Sequence, residues 1–242
     1  MQEIKNIILR KNENFIEENN LSDFGLSMSS YSPFLFKSYD TYTDYQNEKQ
    51  LYLSLLDSSD SVSTIYIFNE NLKNESAYVD EENCNQSITL EEAKEMIQIY
   101  DSNYTGKEVK IGIIDVGIPS DINFPKEYHK LNPDLEESAH TTYVASILGG
   151  KYGIAPDAEL YFGSMNSVTQ SMEWMLGEGV NVVNCSYGYD YENGIYLGYS
   201  AYFDYIIRHN FISIVKSSGN EKDSKIDYKS GIGIECYNSW GN

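Results

Sequence analysis

Apolar strands alternating with helices predict an α/β chain. The expected form is a parallel sheet with helices on both faces over residues 99–242, preceded by an α+β or irregular annex over residues 1–98. Three observations carry that expectation. The run Val109–Gly117 (VKIGIIDVG) is apolar and rich in β-branched residues, as a strand buried on both faces requires. Similar runs recur at Glu159–Gly163 (ELYFG), Val180–Ser186 (VNVVNCS) and Phe211–Val215, and Gly231–Tyr237 (GIGIECY) reads as one more. Between them, Val168, Met172, Met175 and Leu176 fall at helical spacing, and Leu197–His209 reads as a second helix stopped at Asn210.

Residues 1–86 are rich in Asn, Ser, Glu and Tyr and only weakly periodic; Asp44–Leu56 reads as a helix and Ser63–Phe68 (STIYIF) as a strand. The region is open between an annex packed on the main domain and a pro-segment-like stretch. At Thr89 a helix starts: Thr89 and Glu92 form a capping box, and Leu90, Ala93, Met96, Ile97 and Tyr100 share one face. Asn103–Gly106 turns the chain into the Val109 strand. The Tyr-rich stretch Tyr187–Tyr205 is expected to fill a helix–sheet interface rather than line a groove.

Bulk composition excludes several classes. The 242 residues carry a formal net charge of −20, which argues against nucleic acid and anionic membrane surfaces as partners. Cys84, Cys185 and Cys236 are odd in number and show neither a disulfide framework nor metal-ligand spacing. No stretch approaches the ~18 apolar residues of a membrane span, and the N-terminus lacks the apolar core of an export signal. As written, the chain reads as cytoplasmic.

A carboxylate ends the apolar strand at Asp115, where burial is costly unless the group is used. The C-terminal end of such a strand is where open α/β sheets build sites. His140 follows in AHTTYVASILGG, at the first turn of an expected helix, and Asn220 in the turn SSGNE. An acid, a base and an amide donor are three parts of a serine-hydrolase centre: the acid orients the base, and the amide stabilises a developing oxyanion. Singly, each is also an ordinary cap, surface histidine or turn residue. Gly25–Ser30 (GLSMSS) holds a Gly-x-Ser-Met string, but it precedes Asp115 and a Pro-containing run follows, so it reads as a polar loop.

Five blocks, in order, resemble the subtilisin-like serine proteases. YTGKEVKIGIIDVGI is similar to that family's acid motif, AHTTYVASILGG to its His-Gly-Thr-His-Val-Ala motif, and GIAPDAELY to its Gly-Val-Ala-Pro-x-Ala segment. GVNVVNCSYG is similar to its cleft-lining strand and SSGNE to its Ala-Gly-Asn-Glu block. The resemblance implies a partial subtilisin-like peptidase domain over residues 99–242 that acts on polypeptides by acyl transfer. Asp115 would be the triad acid, His140 the base and Asn220 the oxyanion donor, with Ser186, Tyr187 and Gly188 bordering the peptide groove. Thr141 and Tyr143 depart from the family, replacing a Gly and a His.

The family's Gly-Thr-Ser-Met-Ala block has no counterpart. Ser224, Ser230 and Ser239 follow Asn220, and none has that context. The expectation is a chain truncated before the nucleophile, or one segment of a longer product. A partner would then cover an incomplete sheet, and the rival reading is an inactive peptide- or protein-binding module. No cofactor is implied; family members often carry structural calcium, but no loop here shows the alternating carboxylates that would name its ligands. Family members are often exported, against the reading of the N-terminus.

Overall fold

Phe34 and Phe36 alternate with Leu35 along one strand, so that the two aromatic rings share a face. That alternation belongs to the first of the two units into which the chain packs. The computed structural model describes residues 4–11, 25–39, 43–48, 62–70, 72–74, 89–99, 104–120, 124, 126–189 and 198–217. In chain order the strands are β1 (Ile4–Lys11), β2 (Ser27–Met28), β3 (Phe34–Tyr39), β4 (Val62–Glu70), β5 (Leu72–Asn74), β6 (Lys110–Asp115), β7 (His129–Lys130), β8 (Glu159–Ser164), β9 (Val182–Cys185), β10 (Tyr187–Tyr189) and β11 (Ser213–Lys216). The helices are α1 (Leu90–Met96), α2 (Ala139–Gly149), α3 (Val168–Gly177) and α4 (Gly198–Asn210). The short strands β5 and β10 lie where the chain passes between units.

The first unit comprises residues 1–73, 188–212 and 217–242. Its sheet is antiparallel with strand order β2-β3-β1-β4. Helix α4 packs against β1 and β4. Tyr202 of α4 meets the rings of Phe34 and Phe36 edge-on at 6.1 and 5.1 Å. Such pairs add roughly 0.5–1.5 kcal/mol beyond the area they bury. Tyr199 and Tyr202 are therefore interface filling, as the sequence suggests, and the sheet that they fill is the antiparallel one. A helical stretch at 43–48 covers the start of the expected Asp44–Leu56 helix; the remainder lies outside the described residues.

The second unit comprises residues 74–187 and 213–216. Five parallel strands run in the order β11-β9-β6-β8-β7. Strand alternation sorts the helices. Leu160 and Phe162 pack in one core with Ile111, Ile113 and Ala145 of α2. Gly163, of opposite parity, faces Ser171 and Met175 of α3. Its missing side chain is required: a Cβ would sit 2.5 Å from that of Ser171. The two helices thus cover opposite faces of the sheet.

Helix α1 is shorter than its periodicity predicts. The capping box forms, with Thr89 N donating to Glu92 Oε2 at 2.6 Å and Glu92 N donating to Thr89 Oγ1 at 3.2 Å. The helix ends at Met96, Gln98 turns the chain with φ at 60°, and Met96 and Ile97 are exposed. The expected strand Gly231–Tyr237 and Tyr100 lie outside the described residues.

Candidate active site

Asp115 closes β6 in the middle of the five-stranded sheet and is fully buried. A buried carboxylate is tolerable only with donors around it. Val116 N donates to its Oδ1 at 2.7 Å. His140 supplies the rest: its Nδ1 lies 2.9 Å from Oδ1 and 3.0 Å from Oδ2. With Nδ1–H donating to the carboxylate, Nε2 is the basic nitrogen of the ring. The His140 side chain is 14% exposed and that of Asp115 0%, so the ring is the member of the pair that reaches the surface.

Local sequence brings the two together. Ser138 caps α2, accepting from Thr141 N at 3.3 Å, and so places His140 in the first turn. Ile118 N donates to Glu136 O and Ser138 N to Ile118 O, stitching the segment after Asp115 to the helix start. Thr142 ties the same segments through its hydroxyl, which accepts from Ser120 N at 2.9 Å and donates to Ser138 O at 2.7 Å. The approach is close enough that a Cβ on Gly117 would run into the Glu136 carbonyl.

The departures at 141 and 143 are accommodated differently. Thr141 is fully buried, and its hydroxyl has no hydrogen-bond partner among the described residues. Tyr143 is exposed and lines a cleft with Ser120, Glu137, Thr142 and Ser146.

Of the remaining expected site residues, Ser186 follows β9, half-buried, and its Oγ accepts from Asn184 Nδ2 at 2.9 Å. Tyr187 is fully buried, with the Lys216 ammonium 5.4 Å from its ring centre, and Gly188 is buried. Asn220, Ser224, Ser230 and Ser239 lie outside the described residues, as do Cys84 and Cys236. Ser27 lies on β2, an extended strand paired with β3, and does not open a helix. The sequence reading passed over Thr142 and Asn184. Its available signal was a polar side chain inside an apolar element, which must find a partner.

Cys185 sits one strand over from Ile114 and is fully buried. Burial pushes its thiol up to about 12; Lys216 and Tyr187 pull it down and Asp115 adds to the rise. It is a core side chain and is not a nucleophile at neutral pH.

The family model described as "Subtilase family" matches residues 106–238, more than half of the chain. Minor extracellular protease Epr of Bacillus subtilis is 30% identical over 111 residues, which cover 38% of this chain and 17% of that protein. Subtilisin E of the same species is 30% identical over 115 residues, covering 37% and 29%, and Subtilisin Savinase of Lederbergia lenta is 32% identical over 104 residues, covering 35% and 39%. The matched stretch is thus well under half the length of each relative. Among solved structures, fervidolysin of Fervidobacterium pennivorans, described as a keratinolytic enzyme related to subtilisin, aligns with a TM-score of 0.54 and 13% identity over 93% of this chain and 41% of its own. The epidermin leader peptide processing serine protease of Staphylococcus aureus aligns with a TM-score of 0.53 and 16% identity over 88% and 60%. The chain belongs to the subtilase family of serine proteases.

Proposed function

We propose that this chain carries the acid–base half of a serine endopeptidase that cleaves polypeptides by acyl transfer. His140 takes the proton of an attacking serine hydroxyl and returns it to the leaving amine. Asp115 fixes the ring tautomer and stabilises the imidazolium formed between those two transfers. Asn220 donates to the oxyanion, and Ser186, Tyr187 and Gly188 border the peptide. The nucleophile comes from a Gly-Thr-Ser-Met-Ala segment outside these 242 residues. The observation that carries the reading is the buried carboxylate of Asp115 within 3.0 Å of His140 Nδ1 through both oxygens, on a ring that still reaches the surface.

The N-terminal region, residues 1–98, is proposed to be pro-segment-like. Its support is that the region lies N-terminal to the family-matched residues 106–238 and carries antiparallel strands of its own, β1 to β4.

The test joins the chain to a downstream segment bearing that serine block and measures peptide hydrolysis. Activity should appear, and His140→Ala or Asp115→Ala should lower it by a factor on the order of 10⁴ or more. A folded, inert fusion would contradict the reading and favour a binding module.

A further inference from the structure

The second unit holds a fixed cation of its own. Lys126 Nζ donates to the carbonyl oxygens of Gly149 at 2.9 Å, Pro156 at 2.8 Å and Ala158 at 2.6 Å. An ammonium has three N–H donors, and all three are used. A neutral amine has two and would leave one carbonyl without a donor. Burial draws the Lys126 amine below its usual range, and Asp157 pulls it back up.

The three carbonyls come from two places that need fastening. Gly149 is the last residue of α2, whose terminal carbonyls have no partner within the helix. The N–H groups that follow take the carbonyls of Ser146, Ile147, Leu148 and Gly150, and Lys126 takes that of Gly149. Pro156 and Ala158 lie in the turn that leads into β8. One ammonium therefore joins the C-terminal end of the helix that carries His140 to the start of a central strand. Positive charge at a helix C-terminus is also favoured by the helix dipole.

We propose that the carbonyls of Gly149, Pro156 and Ala158 form a monovalent-cation site, which this chain fills with the tethered ammonium of Lys126. The donor set decides the class. Three neutral carbonyl oxygens match the three N–H donors of an ammonium one for one. Calcium takes six to eight oxygens at about 2.3–2.6 Å, carboxylates among them. A cavity of 780 Å³ lined by Lys126, Glu127, Asp157, Ala158 and Glu159 lies beside the site.

The consequence is a site that opens when the tether is cut. Lys126→Ala removes the length of n-propylammonium and leaves the carbonyls in place. The test follows thermal unfolding of the whole chain and of Lys126→Ala in n-propylammonium, potassium, sodium and choline chlorides at equal ionic strength. The variant should melt roughly 5 °C lower. Propylammonium should raise its melting temperature saturably, with choline inert and the parent chain unresponsive. A variant that melts like the parent, or that responds equally to all four salts, would overturn the proposal. If the variant does not fold, the parent chain decides: amine acetylation read by mass spectrometry should modify Lys126 about tenfold more slowly than exposed Lys107 and Lys151. Equal rates would overturn it.

Discussion

Two neighbouring buried threonines should respond in opposite ways to the same change. Thr142 holds Ser120 N and Ser138 O through one hydroxyl, at 2.9 and 2.7 Å, and is 7% exposed. Thr142→Val keeps the shape and strands Ser120 N, at about 1–3 kcal/mol, while Ser138 O keeps the backbone donor Thr142 N at 2.9 Å. Thr141 is 0% exposed, and its hydroxyl has no hydrogen-bond partner among the described residues. Thr141→Val removes a buried polar atom that makes no such bond and should be neutral or stabilising by up to about 1 kcal/mol. Helix propensity does not separate the pair, because Thr and Val rank alike. The assay is denaturant unfolding with unchanged slope, supported by melting temperature, where Thr142→Val should fall by several degrees. If the two variants shift together, or Thr142→Val loses under about 0.5 kcal/mol, the account of how α2 is fastened beside Asp115 is wrong.

Further outcomes follow from single residues. The Cys185 thiol ionises near 9.0 when free and near 12 when folded, so the folded chain keeps a proton that the unfolded chain loses. That contribution is intact below about 9 and fades as pH rises toward 12, by about 1.4 kcal/mol per unit. Cys185→Ala should flatten the alkaline limb of stability against pH, and an unchanged limb would refute it. Iodoacetamide at pH 8 should leave Cys185 unmodified in the native chain, as peptide mass spectrometry would show. Phe211 follows α4 with φ at 54° and is 97% exposed, so it carries left-handed strain without burial in return. Phe211→Gly should stabilise the chain by about 1 kcal/mol; a lower melting temperature would contradict this. Gly163→Val should destabilise by several kcal/mol, because the side chain has to enter the space that Ser171 occupies 2.5 Å away.

What the sequence made legible was local chemistry. Strand β6 announced itself because both its faces are buried, which forces an unbroken apolar run, and Asp115 stood out as the charge at its end. Helix α2 was readable from the apolar Val144, Ala145, Ile147 and Leu148 that follow His140, whereas its Ser138 cap was not. The capping box at Thr89 formed, yet α1 stopped early: Met96 and Ile97 have the right spacing, and nothing covers them among the described residues. Long-range partnership was less legible. Tyr199, Tyr202 and Phe203 predicted a buried helix face, but nothing local says that the face meets Phe34 and Phe36 on an antiparallel sheet more than 160 residues earlier. The Lys126 cage was invisible for the same reason, since its acceptors are backbone carbonyls and leave no mark in side-chain identity.

The central claim is that the Asp115–His140 pair is a working base awaiting a serine. Fluorophosphonate labelling tests it most directly, applied to the 242-residue chain, to the chain joined to a Gly-Thr-Ser-Met-Ala segment, and to His140→Ala in both. The account predicts no labelling of the chain alone and strong labelling of the joined protein at the supplied serine, lost with His140. Labelling of the chain alone that depends on His140 would place the nucleophile within these residues, with Ser27 the first to map. Labelling of the joined protein that survives His140→Ala would show that this pair is not the base.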